Sequence, residues 1–218
     1  MQGFKYSESR YRDSLLALGN LRVGTLHDFR RQEHKNGIAD VAEGTKSVFH
    51  QIFKVTERDI GSPDYEAMRI FDLFSLQGPD STVSGLTLER EFDFEDCFVH
   101  CTSSIYSNEV LSQFEGADAC IEIHNLEGFY ARLTETINRQ FPVQFVGCHK
   151  VSYSARREGW NGKDWGDHPA LMKAPNYSLQ EEIRAVWLPR RLERIYPFNL
   201  NDVGLIKFCC FREAPIRS

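Results

Sequence analysis

Apolar side chains recur along this chain at two intervals, and each interval predicts a different element. After Asn125, a helix-capping residue, Leu126, Phe129, Tyr130, Leu133 and Ile137 stand at i, i+3, i+4, i+7 and i+11, one stripe along a helix. Tyr11, Leu15 and Leu18 repeat the helical interval across residues 7–19, with Ser7 or Ser9 to start the helix and Gly19 to stop it. Residues 108–114 read as a short third helix. Elsewhere apolar residues alternate with polar ones or run unbroken, which predicts strands at 3–6, 20–26, 48–58, 97–101, 119–123, 141–146, 150–153, 183–188, 195–197 and 205–211. Residues 28–45 are polar, carry both charges and are broken by Gly37 and Gly44, so a loop is expected. The stretch 61–85 reads as an irregular excursion around one apolar piece, 68–76.

Strands outnumber helices and crowd the second half of the chain, the arrangement of an α+β fold rather than a doubly wound parallel one. No internal repeat or low-complexity linker divides it. Residues 1–218 are therefore expected to form a single α+β domain, a mostly antiparallel central sheet flanked by helices, with at most a small appended lobe.

Composition changes this picture little. Hydrophobic residues at 41% and charged residues at 26% are ordinary for a folded domain. A net charge of −5 argues against a general nucleic-acid coat, which needs surplus cations to displace counterions. Two basic runs stand out, Arg10, Arg12, Arg22, Arg30, Arg31 and Lys35 in one and Arg184, Arg190, Arg191 and Arg194 in the other; both read first as solvated surface, with a binding groove as the alternative. The six cysteines lie mostly in apolar runs without a C-x-x-C, so buried free thiols are expected and no metal. The N-terminus has no apolar leader and no run is long enough to span a bilayer, so a cytoplasmic protein with reduced thiols and no membrane contact is expected.

No phosphate loop, dinucleotide fingerprint, nucleophile elbow or metalloprotease helix occurs. Four regions could carry chemistry. Lys5, on the first strand beside Tyr6, could face an anionic ligand, or be a surface lysine. Asp28, Glu33, Asp40 and Glu43 could hold a divalent cation for a metal-dependent hydrolase or nuclease, or pair with the interleaved basic residues. Thr102 and Ser103 end an apolar strand, where their hydroxyls could meet a ribose or cap the next helix. The fourth region is 173–184. On an extended chain Gln180, Glu182 and Arg184 share one face, so Glu182 could stabilise a developing cation while Gln180 orients a nucleophile; equally, Glu182 could pair with Arg184 or Lys173. Just before it, the Gly- and Trp-rich stretch 159–166 could be a loop with exposed aromatics that engages an acceptor.

Several of these segments resemble landmarks of a large bacterial family of unknown function, whose members read Y-K-Y, then a strand with N-G-T-L, then a cysteine-containing strand ending in Ser, then K-x-P-x-W-x-x-E-x-E-x-R. Lys173, Pro175, Glu182 and Arg184 match directly; Tyr177 stands where Trp is usual and Gln180 where the first Glu is usual. Asp28-Phe29-Arg30 replaces the N-D-P that follows the second landmark. The order of basic first strand, hydroxyl-bearing strand and Q-x-E strand is also similar to that of ADP-ribosyltransferases, toxin-like members included. That resemblance implies a split central sheet and NAD as co-substrate. It implies Lys5 near the NAD phosphates with Tyr6, Thr102, Ser103 and Tyr177 as further cofactor-binding residues, Gln180 orienting the acceptor and Glu182 as the catalytic carboxylate. It further implies a macromolecular acceptor (RNA, DNA or protein), a toxin or phage-defence effector, and an antitoxin or immunity partner. A non-catalytic defence or immunity module is the remaining class.

Overall fold

A computed structural model of the chain describes every residue except 32–35, 74, 77, 79, 192–193 and 216–218. Its strands are β1 (Gly3–Ser7), β2 (Asn20–Thr25), β3 (Thr45–Thr56), β4 (Thr82–Asp93), β5 (Phe98–Ser103), β6 (Ala119–Ile123), β7 (Val143–Lys150), β8 (Ser152–Tyr153), β9 (Arg157–Gly159), β10 (Met172–Lys173), β11 (Glu182–Pro189), β12 (Phe198–Asn201) and β13 (Cys209–Arg212). Its α-helices are α1 (Ser9–Leu18), α2 (Pro63–Phe71), α3 (Asn108–Ser112) and α4 (Leu126–Asn138).

Eight strands form one antiparallel sheet organised around β5. Along one side of β5 runs β11, from Glu182 opposite Ser103 to Trp187 opposite Phe98, and β7 lies beyond β11. Two strands share the other side. β2 pairs at the start of β5 (Gly24 with Val99, Thr25 with Phe98), and β1 pairs at its end (Phe4 with Ser103). β12 continues the sheet past β2, and β6 then β13 continue it past β1.

The stripe on α4 covers one face of this sheet. Leu126, Phe129, Tyr130, Leu133 and Ile137 are buried against Ile121, Ile123, Ile183, Ala185 and Trp187. Each such side chain contributes about 1.5–3 kcal/mol by leaving water. A second cluster sits in the sheet β4-β3-β9, where α2 packs Met68 and Phe71 on Val48, Ile52, Val55 and Leu88. The main core thus carries a small appended lobe.

Several expectations are corrected. In α1 only Leu15 is fully buried, while Tyr11 and Leu18 are exposed; Leu16, outside the predicted stripe, packs beside Leu15 on the core. Gly19 does close that helix in the left-handed conformation, at φ 69°. The excursion at 61–85 contains a true helix, α2, started by the Ser62 side chain with Pro63 in the first turn. β4 carries few apolar side chains and gave no strand signal; of its 12 residues only Leu88 is buried. Residues 195–197 lie outside any strand, and β12 begins at Phe198. The run 205–211 divides into a 3₁₀ turn, Val203–Phe208, and β13.

Candidate functional site

The site is built on the face of β11 opposite α4. Alternation sends Ile183, Ala185 and Trp187 into the main core and leaves Glu182, Arg184 and Val186 on the other side. Two segments cover that side: the loop 36–44, which brings Glu43, and the run 169–181, in which β10 brings Lys173 and a 3₁₀ helix brings Gln180.

Arg184 is the hub. Its Nε donates to Glu182 Oε1 at 2.8 Å, and its Nη1 and Nη2 donate to the two Glu43 oxygens at 2.9 and 3.3 Å. A further bond from Nη1 reaches the Ala170 carbonyl. Lys173 Nζ lies 2.7 Å from Glu182 Oε2 and 2.8 Å from Gln180 Oε1, with the Tyr177 ring 5.2 Å away. Gln180 Nε2 donates to the Gly37 carbonyl at 2.8 Å, and Tyr177 donates to the Ala39 carbonyl at 2.8 Å, so both fasten the loop. The four charges cancel in pairs, which is the condition for burying them.

Burial alone would raise the Glu182 carboxyl, but the Arg184 and Lys173 cations outweigh it and hold the group well below the usual carboxylate range. Burial alone would likewise lower Arg184 and Lys173, and the neighbouring carboxylates raise both instead. Lys5 behaves differently. Burial lowers its amine, with the nearby Cys101 and Glu182 opposing that fall. Its Nζ donates to the Cys101 carbonyl at 2.9 Å, on the edge of β5 that β1 and β2 share.

The predicted residues therefore divide. Lys5 stands apart: it lies across from Ile121 of the α4 core, so its side chain leaves β1 on the α4 face and reaches the β5 edge at the Cys101 carbonyl. Gln180, Glu182 and Tyr177 gather with Lys173 and Arg184. Gln180 gets there by an unexpected route. It ends a 3₁₀ helix, Pro175–Gln180, and Glu181 takes a left-handed turn at φ 45°, so the shared face of an extended strand is not what aligns it with Glu182. Ser103 lies across from Glu182, but its hydroxyl is spent on the backbone of Ile105. Thr102 pairs with Ile183 and so points to the α4 face, away from Glu182. Tyr6 is buried with Val110 and Leu111, and its hydroxyl bridges Ile105 and Ser107; it holds the fold. Arg184 belongs to the interior, not to a solvated run.

The acidic group of 28–43 is dispersed. Asp28 pairs with Arg22 at 2.6 Å, Asp40 with Arg156 at 2.6 Å, and Glu43 with Arg184, so three carboxylates meet three arginines from different parts of the chain. Glu33 lies outside the described residues. Among the described residues no three His, Cys, Asp or Glu side chains converge as ligands for a metal, and no helix is long and apolar enough to cross a membrane. The aromatics of 159–166 are also not displayed: Trp160 and Trp165 pack on the lobe's core beside Phe71.

No family model, curated protein or solved structure matches the chain. The motifs and this geometry are what bear on its function. Sequence reasoning missed the Glu43–Arg184 and Asp40–Arg156 pairs, since their partners are separated by 141 and 116 positions and no local spacing marks them.

Proposed function

We propose that this chain is an ADP-ribosyltransferase-like enzyme that takes NAD at the junction of β1, β5 and β11 and transfers ADP-ribose to a macromolecule. One observation carries the reading. The three strands named by the sequence resemblance are adjacent, with β5 between β1 and β11, and the Lys5 amine on β1 reaches the Cys101 carbonyl on the edge of β5.

The chemistry follows from the charges. Cleaving the nicotinamide–ribose bond builds positive charge on the ribose, and a carboxylate kept ionised stabilises it as it forms. Lys5 meets the pyrophosphate. The acceptor's nucleophilic atom forms the new bond to the ribose as nicotinamide departs with the bonding electrons, and the acceptor's proton is released. In the described conformation both Glu182 oxygens are engaged, so NAD enters by displacing Lys173, together with the Tyr177-bearing segment above it. As a toxin or phage-defence effector of the cytoplasm, such an enzyme is held in check by an antitoxin or immunity partner.

The test is nicotinamide release and transfer of label from NAD to RNA, DNA or protein in a lysate. Glu182→Gln abolishes both while circular dichroism still reports a folded chain. Transfer that persists in this variant removes Glu182 from the mechanism.

The saturation of both Glu182 oxygens favours a second reading, a non-catalytic binding module in which the ion cluster only fastens two loops. That reading is selected if no preparation releases nicotinamide and NAD leaves the melting temperature unchanged, since a bound ligand raises it by mass action.

A further inference from the structure

The end of β11 remote from Glu182 carries a different kind of surface. The strand stops at Pro189, which lies across from Val143. The Arg190 backbone N–H donates to the Pro142 carbonyl at 2.9 Å, and its Nε donates to the Val143 carbonyl at 3.3 Å. These bonds set Arg190 and Arg191 beside the turn 139–142 that leaves α4, which carries Arg139 and Phe141. The Phe141 ring packs 4.9 Å from that of Phe198, so the segment entering β12, with Arg194 and Tyr196, runs alongside. The Arg194 guanidinium lies 5.2 Å from the Tyr196 ring.

All four arginines are exposed, and Tyr196 is 59% exposed. Most other exposed or half-buried arginines hold a carboxylate, Arg22, Arg132, Arg157 and Arg212 among them. Among the described residues Arg58 and Arg90 do not, but each is a single arginine, one in the turn after β3 and one on β4. Among the described residues no carboxylate pairs with Arg139, Arg190, Arg191 or Arg194. Glu193, interspersed in the sequence, lies outside the described residues. In a chain of net charge −5, four neighbouring arginines without carboxylates make a local positive field that favours a polyanion.

We propose that this strip binds single-stranded nucleic acid. Guanidinium groups match phosphate oxygens two bonds at a time, and Arg190, with Nε already committed, keeps its terminal nitrogens for that purpose. Tyr196, backed by Arg194, and the rim-exposed Phe141 offer ring faces on which bases stack. Stacking of that kind needs unpaired bases, which a duplex does not present. The inference is separate from the NAD chemistry, and its test contains no NAD, so either can fail alone.

The experiment is fluorescence anisotropy of a labelled single strand of about 20 nucleotides, RNA and DNA, titrated with the full chain over a series of salt concentrations. Four phosphate contacts predict a log–log salt slope of about −3, from roughly 0.7 per contact. Arg190→Glu with Arg194→Glu weakens binding by more than about tenfold and cuts the slope by about half. Tyr196→Ala weakens it by roughly tenfold at unchanged slope. Circular dichroism checks that these surface variants fold. Absence of binding at low salt, equal or tighter binding to a duplex of the same sequence or to anionic lipid vesicles, or parental affinity in the charge-reversal variant each overturn the proposal.

Discussion

Glu43 and Arg184 are 141 positions apart in sequence and meet with neither side chain exposed, the two carboxylate oxygens lying 2.9 and 3.3 Å from the guanidinium. The pair locks the loop 36–44 onto β11. Arg184 also neutralises Glu182, so removing the guanidinium strands the buried Glu43 and leaves Glu182 to Lys173 alone. Arg184→Ala is expected to lower stability by about 3–5 kcal/mol in urea unfolding. Glu43→Gln, which leaves Arg184 its bond to Glu182, costs less, about 1–3 kcal/mol. Equal losses in the two variants would show that the arginine is not the hub.

Acid should unfold the protein in two stages. His100 is buried, and burial holds its imidazole well below the ordinary value. The unfolded chain therefore takes up that proton first, and stability falls as pH drops below about 6.5. Asp202 is held down to about 2 by the Arg132 guanidinium, against burial and with help from Thr136 and the Gly204 N–H. Its contribution is complete above the unfolded value near 4 and is lost between there and about 2. Asp202→Asn should flatten that lower limb by roughly 1–2 kcal/mol, after a discount for solvent screening, in unfolding measured across pH.

Gly37 is one of the points at which the loop touches the rest of the molecule, beside Ala39, Asp40 and Glu43. Its φ is 86°, and a Cβ there would sit 1.8 Å from the Gln113 carbonyl oxygen. Its own carbonyl accepts from Gln180. Gly37→Ala should cost about 2 kcal/mol or more and loosen the cover over Glu182. The readout is hydrogen exchange of the amides in 36–44, which should speed up relative to those of α4.

Thiol reactivity offers an inexpensive check of the burial pattern. Of the six cysteines only Cys210 is exposed; it lies on β13 at the edge of the sheet, 3.6 Å from His124 Nδ1. Burial pushes Cys97 and Cys101 up to about 12, which leaves little thiolate to react. A chromogenic disulfide reagent should therefore react rapidly with one thiol in the native protein and with all six after unfolding. Cys210→Ser should remove the rapid phase.

Local periodicity revealed what local physics controls. The α4 stripe, the Gly19 stop and the core strands β5, β6 and β11 follow from the spacing of apolar side chains, because a buried face repeats with its element. β4 escaped because one face of a hairpin in a small lobe meets solvent and leaves Leu88 as its sole fully buried side chain. Gln180 comes near Glu182 through a 3₁₀ helix and not through the alternation of a strand. A left-handed Glu181 is a non-glycine in a sparsely populated conformation, and no residue pattern announces it. The pairings of Asp28, Asp40 and Glu43 depend on arginines contributed by distant elements, which spacing within 28–43 does not encode.

The position of β1 between β5 and β6 bears on how the chain is made. Residues 3–7 leave the ribosome long before 98–103 and 119–123, their partners, and β5 itself waits for 182–187. A growing chain therefore holds several apolar strands with no edge to join, and the centre of the sheet is completed only once residues 182–187 have been made. Such late, long-range closure makes folding slow and the unfinished polypeptide a natural client for chaperones.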